Sequence, residues 1–255
     1  MRFVREILPD IVEEGRRLLG LAEERNVTLR LLGGVAVFLR APNGIAAPFM
    51  RDYKDLDFVT SRRTASACVR LFSDLGYEPH HAFNALHGRE RLLFFDARNG
   101  RQVDVFVHAF RMCHKIPLEE RLELEPLTVP LAELLMTKLQ IAELNQKDMG
   151  DSLALLHGHP VAEKDGDAIN AARIAQLLSA DWGLWRTFTG NLSACREQIG
   201  RYDLPAEQHR ALAAGADTLL ERIEAEPKSR SWRVRARIGE RKRWYESPEE
   251  VADGP

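Results

Sequence analysis

The sequence of 255 residues has few cysteines and no long apolar run. Its three cysteines, Cys68, Cys113 and Cys195, are odd in number and form no Cys-x-x-Cys pair. This argues against a disulfide framework and favours a reducing cytoplasm. The longest uncharged apolar run, residues 31–39, is about half the length that a membrane-spanning helix needs. Residues 1–6 also lack the apolar stretch of a signal peptide, so we expect a cytoplasmic protein with no membrane partner.

The chain also lacks a strong excess of charge of either sign. It has 36 basic and 38 acidic residues and a net charge of −2, which removes the simplest case for a nucleic-acid-binding protein. Hydrophobic residues make up 45% and charged residues 29% of the chain, a balance that is typical of a globular protein with a substantial core.

Strand and helix signals alternate in the first half of the chain, whereas the second half shows helical spacing throughout. Two predicted strands, 91–97 and 101–107, flank Asn99-Gly100, the strongest short-range signal for a β-hairpin. After Pro130 only helical spacing follows, at 131–144, 147–157, 168–178, 181–199 and 206–223. The sequence therefore predicts an α+β protein: a mixed sheet with flanking helices in residues 1–127, followed by an all-helical domain in residues 128–255. The cleft between the two is the expected site.

Three aspartates stand where a metal site would need them. Asp55 and Asp57 belong to one predicted strand, 55–60, and point to one face, where their charges repel unless a cation such as Mg²⁺ is bound. Asp104 lies within an apolar strand, where an unpaired charge is costly. If the two strands are neighbours, the three carboxylates can hold two metal ions for phosphoryl transfer. The alternative is an edge strand with solvated carboxylates.

Two further features favour phosphate binding. Gly33-Gly34 lies between a predicted strand and a predicted helix, where the backbone can approach a phosphate, although it also suits an ordinary turn. Lys138 falls on the apolar stripe of its predicted helix, so it either extends to water or meets an anion such as a triphosphate. The next helix opens with Lys147-Asp148-x-x-Asp151, in which the acidic residues suit either helix capping or the site.

Taken in order, Gly33-Gly34, Arg51-x-x-x-Asp55-x-Asp57 and Asp104 resemble the nucleotidyltransferase fold of the DNA polymerase beta superfamily. The resemblance is closest to the minimal bacterial branch that includes the AbiEii-like toxins. Two departures stand out. Gly34 replaces a serine that many members carry, and Asp104 is not retained throughout the minimal branch.

The resemblance implies a role for each of these residues. The glycine pair would cradle the triphosphate of an NTP, and Asp55, Asp57 and Asp104 would bind Mg²⁺ or Mn²⁺. Lys138 and an aspartate of the helical domain, Asp148 in preference to Asp151, would complete the site. Arg51 and Lys138 would neutralise the phosphates, and Asp148 would act as a general base or orient Lys138.

The implied reaction is transfer of a nucleoside monophosphate from an NTP to an acceptor hydroxyl, with release of pyrophosphate. Toxin-like relatives imply a tRNA acceptor and an antitoxin partner. A small hydroxylated molecule or a protein hydroxyl is the alternative acceptor. A catalytically silent protein that binds a nucleotide or a partner is the alternative from another class.

A basic segment near the end of the chain supports an RNA acceptor. Eight basic residues and one acidic residue, Glu240, lie between Lys228 and Arg243, with aromatic residues interleaved. Such a segment can contact a phosphate backbone, or it can form a solvated face balanced by nearby acidic residues. Its alternating pattern leaves both strand and helix open.

Overall fold

A five-stranded mixed sheet forms the centre of the protein, in a computed structural model that describes residues 6–247. The strand order is β1-β2-β5-β4-β3, with β2 and β5 parallel and the other neighbours antiparallel. The five strands are β1 (Leu29–Leu31), β2 (Leu56–Thr60), β3 (Glu78–Pro79), β4 (Arg91–Asp96) and β5 (Arg101–Val107). Two further pairs of short strands are β6 (Ala109–Arg111) with β7 (Lys115–Pro117), and β8 (Val161–Ala162) with β9 (Ile169–Asn170).

Helices flank the sheet and make up most of the second half. Four lie in the first half: α1 (Ile11–Glu24), α2 (Gly33–Arg40), α3 (Ala65–Asp74) and α4 (His81–His87). Six follow: α5 (Leu131–Leu139), α6 (Gln146–Gly158), α7 (Ala171–Ala180), α8 (Trp182–Gln198), α9 (Ala206–Ala225) and α10 (Arg230–Ile238). The predicted α+β class, with helices at the end of the chain, is confirmed. Within residues 6–247, no helix combines the length and apolar character needed to cross a membrane.

The β4–β5 hairpin forms where Asn99-Gly100 predicts it. Asp96 faces Arg101 across the ladder, and Gly100 takes the φ of +64° that the turn requires. The Asp96 carboxylate accepts hydrogen bonds from the backbone amides of Arg98 and Asn99 and from the Arg101 guanidinium. The side chain therefore fixes the turn and the start of the next strand at once.

One contiguous core runs through both halves of the protein. Helices α5 and α6 pack against α2, and buried Glu133 of α5 accepts hydrogen bonds from Arg121 before it and from Arg173 of α7. Leu31 of β1 also pairs with Thr128. The boundary predicted between residues 127 and 128 therefore lies within a continuous packed interior.

Two helix boundaries differ clearly from the sequence expectation. The first helix begins at Ile11 after an Asp10 cap, whereas the helical spacing of apolar residues over 4–24 predicts a start at Val4, which lies outside the described residues. Helix α5 ends at Leu139 rather than at residue 144, because a loop leads from there to the Asn145 cap of α6.

The basic segment forms helix α10 rather than a strand. Ser229 caps this helix, Trp232 packs edge-on against Trp185 of α8, and the Arg235 guanidinium lies over the ring of Trp182. These contacts favour helical spacing of the side chains over the alternation that the sequence pattern left open.

Candidate active site

The structure brings most of the predicted site residues into one cavity of about 290 Å³. It lies where β2, β4 and β5 meet the helices α2, α5 and α6. The predicted residues that line it are Gly33, Gly34, Arg51, Asp55, Asp57, Lys138 and Asp148. Asp104 faces Asp57 across the parallel β2–β5 ladder, but it is not one of the residues that line the cavity.

Gly33 sits directly against the Asp57 carboxylate. Leu31 pairs with Phe58 at the end of β1, and the amide of Leu32 donates to the carbonyl of Asp57, so the chain turns into α2 beside that residue. Gly33 has φ +65°, and a Cβ there would lie 2.9 Å from Asp57 Cγ and closer still to Oδ2. Only glycine combines this backbone conformation with this close approach.

Gly34 makes room for a stacked pair of side chains at the start of α2. A Cβ at Gly34 would lie 2.8 Å from the Tyr53 ring and closer still to the Arg51 guanidinium, which stacks 4.7 Å from the centre of that ring. Among the described residues no side chain caps α2, so its first amides remain donors at the cavity wall. An uncapped helix start of this kind favours an anion.

Asp57 is an unpaired carboxylate at the floor of the cavity. It accepts no hydrogen bond from any residue of the described chain, and its pKa is raised to about 7 by burial and, after burial, by the neighbouring Asp104 charge. The Lys138 charge opposes this rise without cancelling it. A bound cation would therefore stabilise the charged form of this carboxylate and lower its pKa again.

Asp104 is paired, which separates it from Asp55 and Asp57. Its Oδ1 accepts from Arg91 Nε at 2.6 Å and its Oδ2 from Gln102 Nε2 at 2.7 Å. Across residues 6–247, no three or more histidine, cysteine or acidic side chains are grouped so that they could hold a metal ion. The strands that carry Asp57 and Asp104 are neighbours, as the three-carboxylate cluster requires. The Asp104 carboxylate is nevertheless not a free ligand, because Arg91 and Gln102 occupy it.

Lys138 belongs to a buried ion-pair network that also holds Arg51. Its Nζ lies 2.8 Å from Asp151 Oδ2 and 3.2 Å from Asp148 Oδ1. Asp151 in turn accepts two hydrogen bonds from Arg51, at 3.0 and 2.8 Å, and Asn145 donates to Asp148 at 2.7 Å. Asp151 therefore positions both cations, and Asp148 faces the cavity while it holds Lys138.

The pKa directions within this network follow from the pairing. Burial works against the charge of Lys138, but Asp151 and Asp148 outweigh it and raise the pKa of the lysine. Burial likewise opposes the Asp151 charge, and Arg51 and Lys138 outweigh it and lower the pKa of that carboxyl. Lys138 and Asp151 are therefore both charged at neutral pH.

Sequence reasoning assigned no role to several residues of the cavity wall. Lys54 and Lys147 are exposed there and form no ion pair with any part of the chain that the structure describes. Tyr53 and Arg91 also line the cavity. Lys54 and Lys147 each precede a predicted aspartate in the sequence, a signal that could have found them. Arg91 carries no local signal, because its role depends on the strand that lies beside it.

The donor set suits a hard divalent cation at Asp55 and Asp57. Both residues line the cavity and offer carboxylate oxygens, and the missing Cβ of Gly33 makes room for the Asp57 carboxylate. Mg²⁺ is commonly bound by one or two carboxylates together with substrate phosphates rather than by a complete protein cage. The residues therefore fit such an ion, with Asp104 engaged elsewhere.

Comparison with known proteins assigns neither a family nor a function to this protein. No protein-family model matches the sequence, and no curated protein gives a significant match. The functional conclusion therefore depends on the residues of the cavity themselves.

Proposed function

We propose that this protein is a metal-dependent nucleotidyltransferase that moves a nucleoside monophosphate from an NTP to an acceptor hydroxyl and releases pyrophosphate. One observation carries the proposal. The glycine turn, the carboxylates of Asp55 and Asp57, and the lysine–aspartate pair of α5 and α6 lie far apart in the sequence and line one cavity. This combination of an anion-binding helix start, free carboxylates and a buried cation suits phosphoryl transfer.

Nucleotide binding is assigned to the side of the cavity formed by α2. The uncapped amides at Gly33 and Gly34 would donate to phosphate oxygens, and the free ammonium groups of Lys54 and Lys147 would attract the triphosphate. Arg51 and Lys138 are already neutralised by Asp151 and Asp148, so they would contribute directed hydrogen bonds more than net charge.

Asp55 and Asp57 would hold Mg²⁺ or Mn²⁺, which supplies positive charge at the reacting phosphate when it is bound. Lys138, held in place by Asp148 and Asp151, would donate hydrogen bonds to the phosphate oxygens. Both Asp148 oxygens are engaged, by Lys138 and Asn145, which favours a role in orienting Lys138 over one as a general base.

Two acceptor classes have a structural observation in their favour. Helix α10 exposes Arg230, Arg233 and Arg237, none of which pairs with an acidic residue of the described chain, and this favours RNA. A second cavity of about 280 Å³ adjoins the first and shares Arg91 and Met112 with it, a size that favours a small hydroxylated molecule.

Label transfer tests the proposal. The purified protein is incubated with Mg²⁺ and each α-labelled NTP, and with total RNA, small-molecule extract or protein extract as acceptor. We expect transfer that is lost in Asp57→Asn and kept in Asp203→Asn, which changes an exposed aspartate outside the cavity. NTP binding without transfer would favour the binding-protein alternative, and no NTP binding would contradict the proposal.

Expression in a bacterial host tests the toxin-like role. Growth arrest that disappears in Asp57→Asn would support a toxin and the existence of an antitoxin partner. Normal growth with the active protein would argue against both.

A further inference from the structure

The Asp104 carboxylate is fully engaged by two neighbouring side chains. Arg91 Nε donates to one of its oxygens at 2.6 Å and Gln102 Nε2 donates to the other at 2.7 Å. Arg91 opens β4 and Asp104 lies on β5, so the antiparallel register that pairs Arg91 with Phe106 brings the two charges together. The pairing is therefore built into the sheet.

Arg91 is also held by its own surroundings. Its guanidinium carbon lies 5.6 Å from the ring centre of Phe83 and 5.4 Å from that of Phe106, and its side chain is only 15% exposed. Contacts with aromatic faces stabilise a guanidinium where it stands. Breaking an ion pair of such low exposure leaves an uncompensated charge and is costly.

Asp57 and Asp104 face each other across the ladder, but among the described residues only Asp104 is paired with an arginine. Asp55 and Asp57 have no arginine partner within residues 6–247, so a cation that enters the cavity meets two carboxylates that are free of arginine. Asp104, in contrast, is already neutralised by Arg91. The cation gains little from Asp104 unless Arg91 first moves out of its position between the two rings.

We propose that Arg91 is a resident counter-ion of Asp104, and that the nucleotide-free protein therefore holds one divalent cation, on Asp55 and Asp57, with Asp104 outside its coordination. The inference rests on the proposed function, because it concerns the cation which that function requires. Arg91 acts here as a positioning residue: it sets how many carboxylates are available to the cation.

A Mn²⁺ titration of the full chain without nucleotide tests the inference, with free Mn²⁺ measured by electron paramagnetic resonance. We expect one bound ion in the native protein and at least about tenfold weaker binding in Asp57→Asn. In the double variant Arg91→Met with Asp104→Asn the ion pair is removed without a change in net charge. We expect its affinity to stay within about twofold of the native value, since neither residue contacts the ion.

The single variant Arg91→Met frees Asp104. We expect Mn²⁺ binding about tenfold tighter, or a second bound ion, because a third carboxylate becomes available. Arg91→Lys keeps the charge and should behave like the native protein. Arg98→Met removes an exposed arginine from the same hairpin and is the matched control. Circular dichroism checks that every variant is folded. If Arg91→Met fails to fold, the double variant Arg91→Met with Asp104→Asn still tests the inference.

Two results would overturn the inference and leave the proposed function standing: two ions bound by the native protein, or a loss of affinity in the double variant as large as that in Asp57→Asn. Failure of the native protein to bind Mn²⁺ at all would overturn both.

Discussion

Two constraints meet at Gly33, whose φ of +65° is unfavourable for a side chain and whose missing Cβ leaves space for the Asp57 carboxylate. Gly33→Ala should lower the free energy of unfolding by about 1–3 kcal/mol and displace Asp57, so that Mn²⁺ and NTP binding are lost. Gly44→Ala is the matched control, because Gly44 has φ +78° but no atom within 4 Å of a Cβ. Thermal unfolding and binding titrations measure both effects. Equal loss of binding in the two variants would contradict the assignment of Gly33 to the site.

Asp151 holds two cations although it lies behind the cavity wall. In Asp151→Asn, Arg51 and Lys138 lose their shared charged partner. We therefore expect the free energy of unfolding to fall by about 3 kcal/mol and the KM for NTP to rise. Asp203→Asn, at an exposed position, should change neither quantity. Denaturant unfolding and initial-rate kinetics provide the two measurements. An unchanged KM would show that the network is structural only.

The residues of the candidate site could be predicted more readily than the partners that those residues contact. Helical spacing placed Lys138 on an apolar stripe, where it needed either an anion or a route to water, and the structure pairs it with two anions, Asp148 and Asp151. The bond between Arg51 and Asp151 joins residues 100 positions apart, so no local pattern could have shown it. The same holds for Arg91 and Asp104, whose pairing depends on strand register.

Among the secondary-structure elements, the β4–β5 hairpin links stability to pH through Asp96. Burial opposes its charge, but Asn99 and Arg101 outweigh this and lower the pKa of the carboxyl. A lowered pKa contributes stability that is present above the unfolded carboxyl value of about 4 and is lost as pH falls through the folded value. Asp96→Asn should therefore cost about 3 kcal/mol at pH 7 and progressively less in acid. Urea unfolding from pH 7 to pH 3 measures the difference, and a constant difference would contradict this reasoning.

Helix α10 decides between the two acceptor classes. Reversing Arg230, Arg233 and Arg237 to glutamate should reduce transfer to RNA, and each lost phosphate contact should lower the slope of log affinity against log salt by about one. Reversal of Arg201 and Arg210, which are exposed outside α10, is the control. NTP binding should stay unchanged in both variants. Unaffected transfer would favour a small acceptor in the second cavity.

Elements with strong local signals were predictable, and their arrangement was predictable only in part. The Asn-Gly turn and the helical periodicity after Pro130 specified most elements to within a few residues. The position of β5 between β2 and β4 depends on long-range pairing, although the apolar character of its strand suggested a buried place. Helix α10 shows the reverse case, since tertiary contacts with Trp182 and Trp185 decided between helix and strand.

Across the whole molecule, the continuous core predicts a single unfolding transition. All four tryptophans lie after residue 180, so their fluorescence reports the helical half. Pulsed hydrogen exchange of the β2 and β5 amides reports the sheet. We expect both probes to show the same midpoint in urea, because α5 and α6 pack directly on α2 and Glu133 joins Arg121 to Arg173. Separate midpoints would support two independently folding domains divided near residue 127.

The three cysteines have a practical consequence. Cys68, Cys113 and Cys195 are all buried, and burial raises the pKa of Cys68 and of Cys195 to about 12. Thiol-directed dyes should therefore leave the native fold untouched. A cysteine introduced at Leu86, which is 79% exposed on α4, would then be the sole reactive thiol, and a fluorophore attached there could follow acceptor arrival in real time without any prior removal of native cysteines.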